Sequence, residues 1–332
     1  MGEQLRLGLA LGNFVPSEEP LRFDDLATYA TRAERLGFSS VFAWDHLFLG
    51  TKTYFPFLES LTVLAALAAR TQRIRLGTGV LVLPLRDPTT LAKVTSTIDL
   101  VSGGRFVLGA AAGWYEKEYE ALGIPFSRRG KVLVRNLEIL KRLWTEDSMD
   151  YEAEGLDGSP GALRFRRVVM QPKPLQRPRP TILLGGYVDV VLKRIARHAD
   201  GWLTYLYRPP SFAQSWGKLR EYAEQADRDP DTLRNVSQVP ICVGDSYQDA
   251  DRRVKHFVQR YFDVPPWSQA SAESAIRGTP QQCAEQIAEH ARVGVQELVL
   301  MPVDYDLEQV EAIGQELLPV FSPDMATPGR AR

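Results

Sequence analysis

Short apolar runs alternate with amphipathic runs eight times along this 332-residue chain. The strand candidates are Leu5–Leu11, Ser39–Ala43, Arg75–Leu83, Arg105–Ala110, Thr181–Leu184, Gly201–Tyr205, Asn235–Val243 and Glu297–Met301. Helices are expected over Phe23–Leu36, Phe57–Ala69, Pro88–Leu100, Val132–Trp144, Asp189–His198, Ser211–Ala226, Ser246–Gln259 with Pro280–Arg292, and Leu307–Leu317. Alternation of this kind favours parallel strands joined by crossover helices. Eight such units predict an α/β fold, a (β/α)8 TIM barrel with loop insertions, in a single domain over residues 1–332. A doubly wound sheet is the competing architecture. Its dinucleotide fingerprint is missing, since Gly8 and Gly12 precede Asn13 and Phe14 at the wrong spacing.

Several boundaries carry their own mechanism. Gly37 and Gly294 fit left-handed C-caps ahead of a strand. Thr279-Pro280 fits an N-cap followed by proline in the first turn, and Ser246 with Asp249 suits another helix start. Two segments break the rhythm. Tyr151–Pro180 is expected as a hairpin or long loop beside the barrel mouth, and Tyr261–Gly278 as an insertion after the seventh strand. With the loop Leu47–Pro56, they are expected to shape a substrate pocket.

Net charge of −1 argues against a nucleic-acid partner. The apolar start MGEQLRLGLALGNF is too short for a membrane span, has no small-residue cleavage site, and reads as the first strand. Cys242 and Cys283 form no CxxC pattern and read as reduced thiols. Cytoplasmic residence and no membrane partner are the expectations.

In a parallel barrel the functional residues gather where the strands end. His46 follows the second strand directly, beside Asp45, which suits a proton handler or a cofactor contact. His198, His256 and His290 fall within helices and read as surface or half-buried residues. One histidine at a strand end makes no metal site, so no metal is expected. Glycines inside the third strand, Gly77 and Gly79 ahead of Val80, mark a bulge or a close ligand approach. Gly185 and Gly186, ahead of a helix, can present N–H groups to a phosphate. Trp44, Phe48, Trp114, Tyr115 and Tyr119 are aromatics at strand ends that suit a flat cofactor or substrate. Glu116, Glu118 and Glu120 fit the acidic first turn of a helix.

Taken in order, AERLGFSSVFAWDHL, the stretch TQRIRLGTGV through YEALGIPF, ILLGGYVDVVLKRIARHADGW and GTPQQCAEQIAEHARVGVQELVL resemble the bacterial luciferase-like flavin and deazaflavin oxidoreductases over nearly the whole chain. The resemblance implies a (β/α)8 barrel, commonly dimeric, binding FMN or coenzyme F420 at its C-terminal rim. It implies a non-proline cis peptide at Gly79-Val80 behind the cofactor ring, and phosphate donors at Gly185 and Gly186. It places Asp45 and His46 at the reactive ring, with His46 moving the proton and Asp45 orienting it, and Glu118 in the cofactor pocket. Trp44, Phe48, Trp114, Tyr115 and Arg208 are the implied substrate contacts. Trp114 stands where sugar-phosphate dehydrogenase relatives carry a catalytic glutamate, which disfavours that reaction. The WDH sequence resembles the deazaflavin branch more than the FMN branch. The expectation is hydride transfer between F420 and a small organic substrate. The alternatives are an FMN-dependent monooxygenase fed by a separate flavin reductase, and a non-catalytic flavin-binding relative.

Overall fold

In the computed structural model, which describes residues 4–16, 20–50, 54–159, 161–262 and 265–321, eight strands close into a ring. They are β1 (Arg6–Leu11), β2 (Ser40–Ala43), β3 (Arg75–Thr78), β4 (Phe106–Ala111), β5 (Thr181–Gly185), β6 (Gly201–Tyr205), β7 (Arg234–Val243) and β8 (Glu297–Pro302). Each pairs in parallel with its sequence neighbour. The pairing of β8 with β1 completes the circle. Helices surround this ring, as the alternation predicts for a (β/α)8 barrel.

The main core lies between strands and helices, where one stripe of each helix is covered. Phe23–Leu36, for example, buries Leu26, Ala27, Tyr29, Ala30 and Ala33. A second cluster fills the lumen, among it Ala10, Phe42, Val107, Leu183, Leu203, Val299 and Met301. Space there is tight. A Cβ on Gly109 would lie 2.0 Å from the Thr78 carbonyl oxygen, and one on Gly77 would lie 2.3 Å from the Phe42 ring. Glycine at those positions lets neighbouring strands and rings close up.

The predicted caps are present. Gly37 is left-handed, with φ 101°, and its N–H reaches the Ala33 and Glu34 carbonyls. Gly294 has φ 89°. Thr279 and Gln282 form a reciprocal capping box at Pro280–Arg292, and Ser246 accepts the Asp249 N–H.

The third strand is shorter than the sequence pattern suggests. It stops at Thr78, the Gly79-Val80 peptide is cis, and Leu81–Val82 then rejoins the end of β4. Tyr151–Pro180 contains the expected hairpin, Met149–Ala153 against Leu163–Val168. Tyr261–Gly278 carries a helix, Pro265–Ser274, and a short strand, Ile276–Gly278, that adds in parallel to β7. Among the described residues, no helix is long and apolar enough to cross a membrane.

At the N-terminal rim, buried Glu297 accepts from Arg75 at 2.6 Å and Ser39 at 2.9 Å, and also from Ser40. Burial opposes its ionisation, but Arg75 and Ser40 hold its carboxyl below the usual range. His290 differs from the half-exposed reading. It is buried on Pro280–Arg292, and burial alone pushes it down to about 4. The unfolded chain protonates this histidine near its ordinary value, whereas the folded chain resists until about pH 4. Stability from this group is therefore present above pH 6.5 and is lost as pH falls from 6.5 to 4. The loss amounts to about 3 kcal/mol. Urea denaturation between pH 7 and pH 4 is expected to show that slope, and His290→Leu to flatten it.

Candidate functional site

The C-terminal end of β2 is pinned before it reaches the rim. Asn13, buried after β1, accepts the Trp44 N–H at 2.8 Å and donates to the Trp44 and Leu58 carbonyls at 2.8 and 2.9 Å. This clamp fixes the backbone from which Asp45 and His46 project. Consecutive residues of an extended segment point to opposite sides, and the two side chains part company here.

Asp45 turns into the protein. Its Oδ1 accepts from Ser60 at 3.0 Å and Arg86 at 2.8 Å, and its Oδ2 accepts the Val82 N–H at 2.9 Å. Burial raises this carboxyl above the usual aspartate range, against the pull of Arg86, the Val82 N–H and Ser60. The expected role of orienting His46 is therefore corrected: Asp45 ties β2 to the segment following the cis peptide.

Glu118 holds the histidine instead. Its Oε2 lies 3.1 Å from His46 Nδ1, and its Oε1 accepts the Leu47 N–H at 2.6 Å. The Phe48 N–H points at the same oxygen from 3.5 Å. The carboxylate sits on a short helix, Glu116–Ala121, and is fully buried. It stands behind His46 and does not line the rim cleft, so the structure does not bring it to the pocket where it was expected. With Nδ1 engaged, Nε2 is the ring nitrogen left to face a ligand.

His46 lines a cleft of about 560 Å³ at the rim. The inner end is formed by Trp44, Gly79, Val80, Ala111, Ala112, Trp114, Tyr205 and Trp267. Gly185 and Gly186 form its floor, and the N-terminal turn of Asp189–His198 its side. A Cβ on Gly185 would come within 3.2 Å of the Val80 side chain, so glycine keeps this floor low. The outer end carries Ser127, Arg129, Gly130 and Arg194. Neither arginine is salt-bridged to a carboxylate among the described residues. Burial lowers the Arg194 guanidinium, and the Arg129 charge lowers it further. Two neighbouring cations beside a helix N-terminus make an anion site. The cleft therefore has a flat apolar end, a side carrying the His46 imidazole and a cationic end.

Of the predicted residues, the cleft brings together Trp44, Asp45, His46, Gly79, Val80, Trp114, Gly185 and Gly186. Four others lie off it, Glu118 behind His46 among them. Phe48 is exposed and contributes its backbone. Tyr115 is buried, with its hydroxyl on the Gly50 carbonyl at 2.7 Å. Arg208 precedes Pro209–Glu224 and lines a neighbouring depression with Tyr207 and Ser211. Asn13, Arg86, Arg129, Arg194 and Trp267 are the residues that sequence reading passed over. A signal existed only for Arg129, in the SRRG run opening a helix, because the others act through contacts distant in sequence.

Removing the Asp45 carboxylate leaves the Ser60 hydroxyl and the Val82 N–H without their acceptor and Arg86 with only the longer contact to Glu59, at 3.8 Å. Asp45→Ala is expected to cost about 3 kcal/mol in chemical denaturation. A double-mutant cycle with Arg86→Met is expected to recover part of that loss, and strict additivity would count against the contact.

A sequence profile described as luciferase-like monooxygenase matches residues 6–297. An uncharacterized protein of Mycobacterium tuberculosis is 34% identical over 173 residues, 52% of this chain and 57% of that protein. The chain thus spans little more than half the length of that relative. A solved F420-dependent secondary alcohol dehydrogenase, in complex with an F420-acetone adduct, superposes with a TM-score of 0.77 at 15% identity, over 98% of this chain and 100% of its own. The oxygenating constituent of 3,6-diketocamphane monooxygenase from Pseudomonas putida, in complex with FMN, gives 0.78 at 18% identity, over 96% and 99%. At these identities the two structures testify to the fold. The profile covers most of the barrel, and the chain belongs to the luciferase-like monooxygenase family.

Proposed function

We propose that this chain is an oxidoreductase that binds coenzyme F420 in the rim cleft and transfers a hydride between that coenzyme and a small organic substrate. The observation that carries the reading is the His46–Glu118 pair, with Nδ1 held at 3.1 Å by a buried carboxylate beside the cleft. Carbonyl reduction needs a proton delivered to oxygen as hydride reaches carbon, and a histidine so held is suited to deliver it.

The residues present fit a flavin-type group. Glycine at 185 and 186, where a Cβ would crowd the cleft-lining Val80, Ala111 and Val191, leaves room for a flat ring, and Arg129 with Arg194 offers unneutralised charge for a phosphate. When bound, the reduced coenzyme supplies the hydride, and the oxidised form accepts it. The chain supplies the rest. His46 Nε2 donates a proton to the substrate oxygen, or takes one in the reverse direction. Glu118 fixes the ring through Nδ1. Trp44, Trp114 and Trp267 keep water from the inner end.

A second reading is an FMN-dependent monooxygenase working with a separate flavin reductase. It draws on the family description and on the FMN-bound neighbour. Its hallmark is oxygen uptake coupled to substrate.

Fluorescence titration with F420 and with FMN decides between the two. Micromolar F420 binding with weak FMN binding is expected, and preference for FMN transfers the reading to the monooxygenase. His46→Ala is expected to lower turnover about 100-fold or more at saturating coenzyme; unchanged turnover would remove His46 from the chemistry. Arg194→Met is expected to weaken binding of the phosphate-bearing coenzyme about tenfold. Riboflavin, which has no phosphate, is expected to bind both proteins alike.

A further inference from the structure

Two helices begin at the outer end of the cleft, beside Ser127, Arg129, Gly130 and Arg194. Arg129–Thr145 has Arg128 as its N-cap and no acidic residue in its first turn. Asp189–His198 has Val188 as its N-cap, and its one first-turn acid, Asp189, lies 3.4 Å from Lys218. Neither N-cap side chain accepts a backbone N–H. A helix N-terminus carries partial positive charge, so arginines beside it are unfavourable until an anion joins them. Arg129 is nonetheless fixed there, with its guanidinium 3.9 Å from the Phe126 ring centroid and one N–H on the Phe126 carbonyl at 3.0 Å. Gly130 follows it inside the helix and is not left-handed, so conformation does not call for glycine. Space does. A Cβ on Gly130 would lie 2.7 Å from Arg194 Nη2 and 3.4 Å from its Cζ.

We propose that Gly130 is a specificity-determining residue: it leaves the space in which the Arg194 guanidinium lies against the first turn of Arg129–Thr145, so that Arg194, Arg129 and two helix starts serve one phosphate group. The inference rests on the reading that a flavin-type coenzyme places its phosphate at this end. It adds that the absence of a side chain at 130 makes the cleft prefer the phosphate-bearing coenzyme over the same ring without phosphate. Glycine is less favourable than alanine inside a helix, so its presence here works against the helix and in favour of the guanidinium. An added methyl would press on the tip of Arg194, which is long and flexible, and would move that tip rather than the helix. The guanidinium is a planar fork whose paired hydrogen bonds to phosphate depend on its plane, so a small displacement loses them. The cationic end thus owes its selectivity to a residue that carries no charge.

The test titrates the full chain with two matched pairs, FMN with riboflavin and F420 with its phosphate-free ribityl deazaflavin, followed by ring fluorescence. The readout is the ratio of affinities within whichever pair binds, so the choice between coenzymes does not enter it. Gly130→Ala is expected to weaken the phosphate-bearing member about tenfold and to leave the phosphate-free member unchanged. Its urea midpoint is expected at or above that of the unaltered chain. In an Arg194→Met background, Gly130→Ala is expected to change the ratio no further, because the two residues act through one contact. Inorganic phosphate is expected to compete only weakly with the coenzyme; competition as strong as the coenzyme's own binding overturns the assignment to a ring-borne phosphate. A ratio that Gly130→Ala leaves unchanged, while the unaltered chain still prefers the phosphate-bearing member, overturns the role of Gly130 alone. So does a loss shared equally by both members of a pair, or a full further loss in the Arg194→Met background. Equal affinity within both pairs on the unaltered chain, or binding of neither pair, removes the phosphate from the outer end and overturns the underlying reading together with this one.

Discussion

Closure of the strand ring is the constraint on which everything else depends. Eight parallel strands joined edge to edge leave no free edge, and they bring all eight C-terminal ends to one rim. The two rims therefore carry different burdens. At the N-terminal rim, Glu297 gathers Arg75, Ser39 and Ser40 into a buried ion network within the barrel wall. At the other rim, hydrogen-bonding capacity is left open: His46 lines the cleft with Nδ1 on Glu118, and Arg129 and Arg194 stand without carboxylate partners among the described residues. Closure requires the strands to be close, which Gly77 and Gly109 allow. The order set up by the ring is what makes the aromatic and ionic arrangement at the rim reproducible.

Two carboxylates near one histidine show how the backbone sorts chemistry. Asp45 is adjacent to His46 in sequence, yet strand alternation sends it backward to Arg86 and the Val82 N–H. Glu118 is 72 residues away and makes the contact. Asp45 thus acts on the shape of the third-strand break, while Glu118 acts on the orientation of the imidazole. Between them, Asn13 holds the Trp44 backbone from both sides, so that small shifts in the loops are not passed to the histidine.

The barrel was legible because it is written in local periodicity. Strand positions, the Gly37 and Gly294 turns and the Thr279 cap follow from residues a few places apart, and they agree with the structure. The rim was legible in outline for a related reason: parallel barrels put strand ends together, and His46, Gly79, Val80, Gly185 and Gly186 are at strand ends. What pattern reading missed were pairings across space. Nothing in the run WYEKEYEALG distinguishes Glu118 from Glu116 and Glu120, since all three fit an acidic helix start. Only the docking of that helix against the segment His46–Phe48 selects Glu118 for burial. Likewise Tyr115 and Phe48 have the composition of pocket residues, but the fold turns one inward to the Gly50 carbonyl and leaves the other in solvent.

Trp267 is carried by Pro265–Ser274, a helix inserted after β7 and outside the ring of strands. Its indole stacks on Tyr205 at 5.2 Å with an interplanar angle of 11°, and stands 6.0 Å from Trp114. One wall of the cleft and the His46–Glu118 pair are thus borne by separate pieces of the chain. Such separation makes the fold divisible for evolution and for engineering. The inserted helix can be exchanged or recut to admit a different molecule, while the clamp at Asn13 and the His46–Glu118 couple remain as they are.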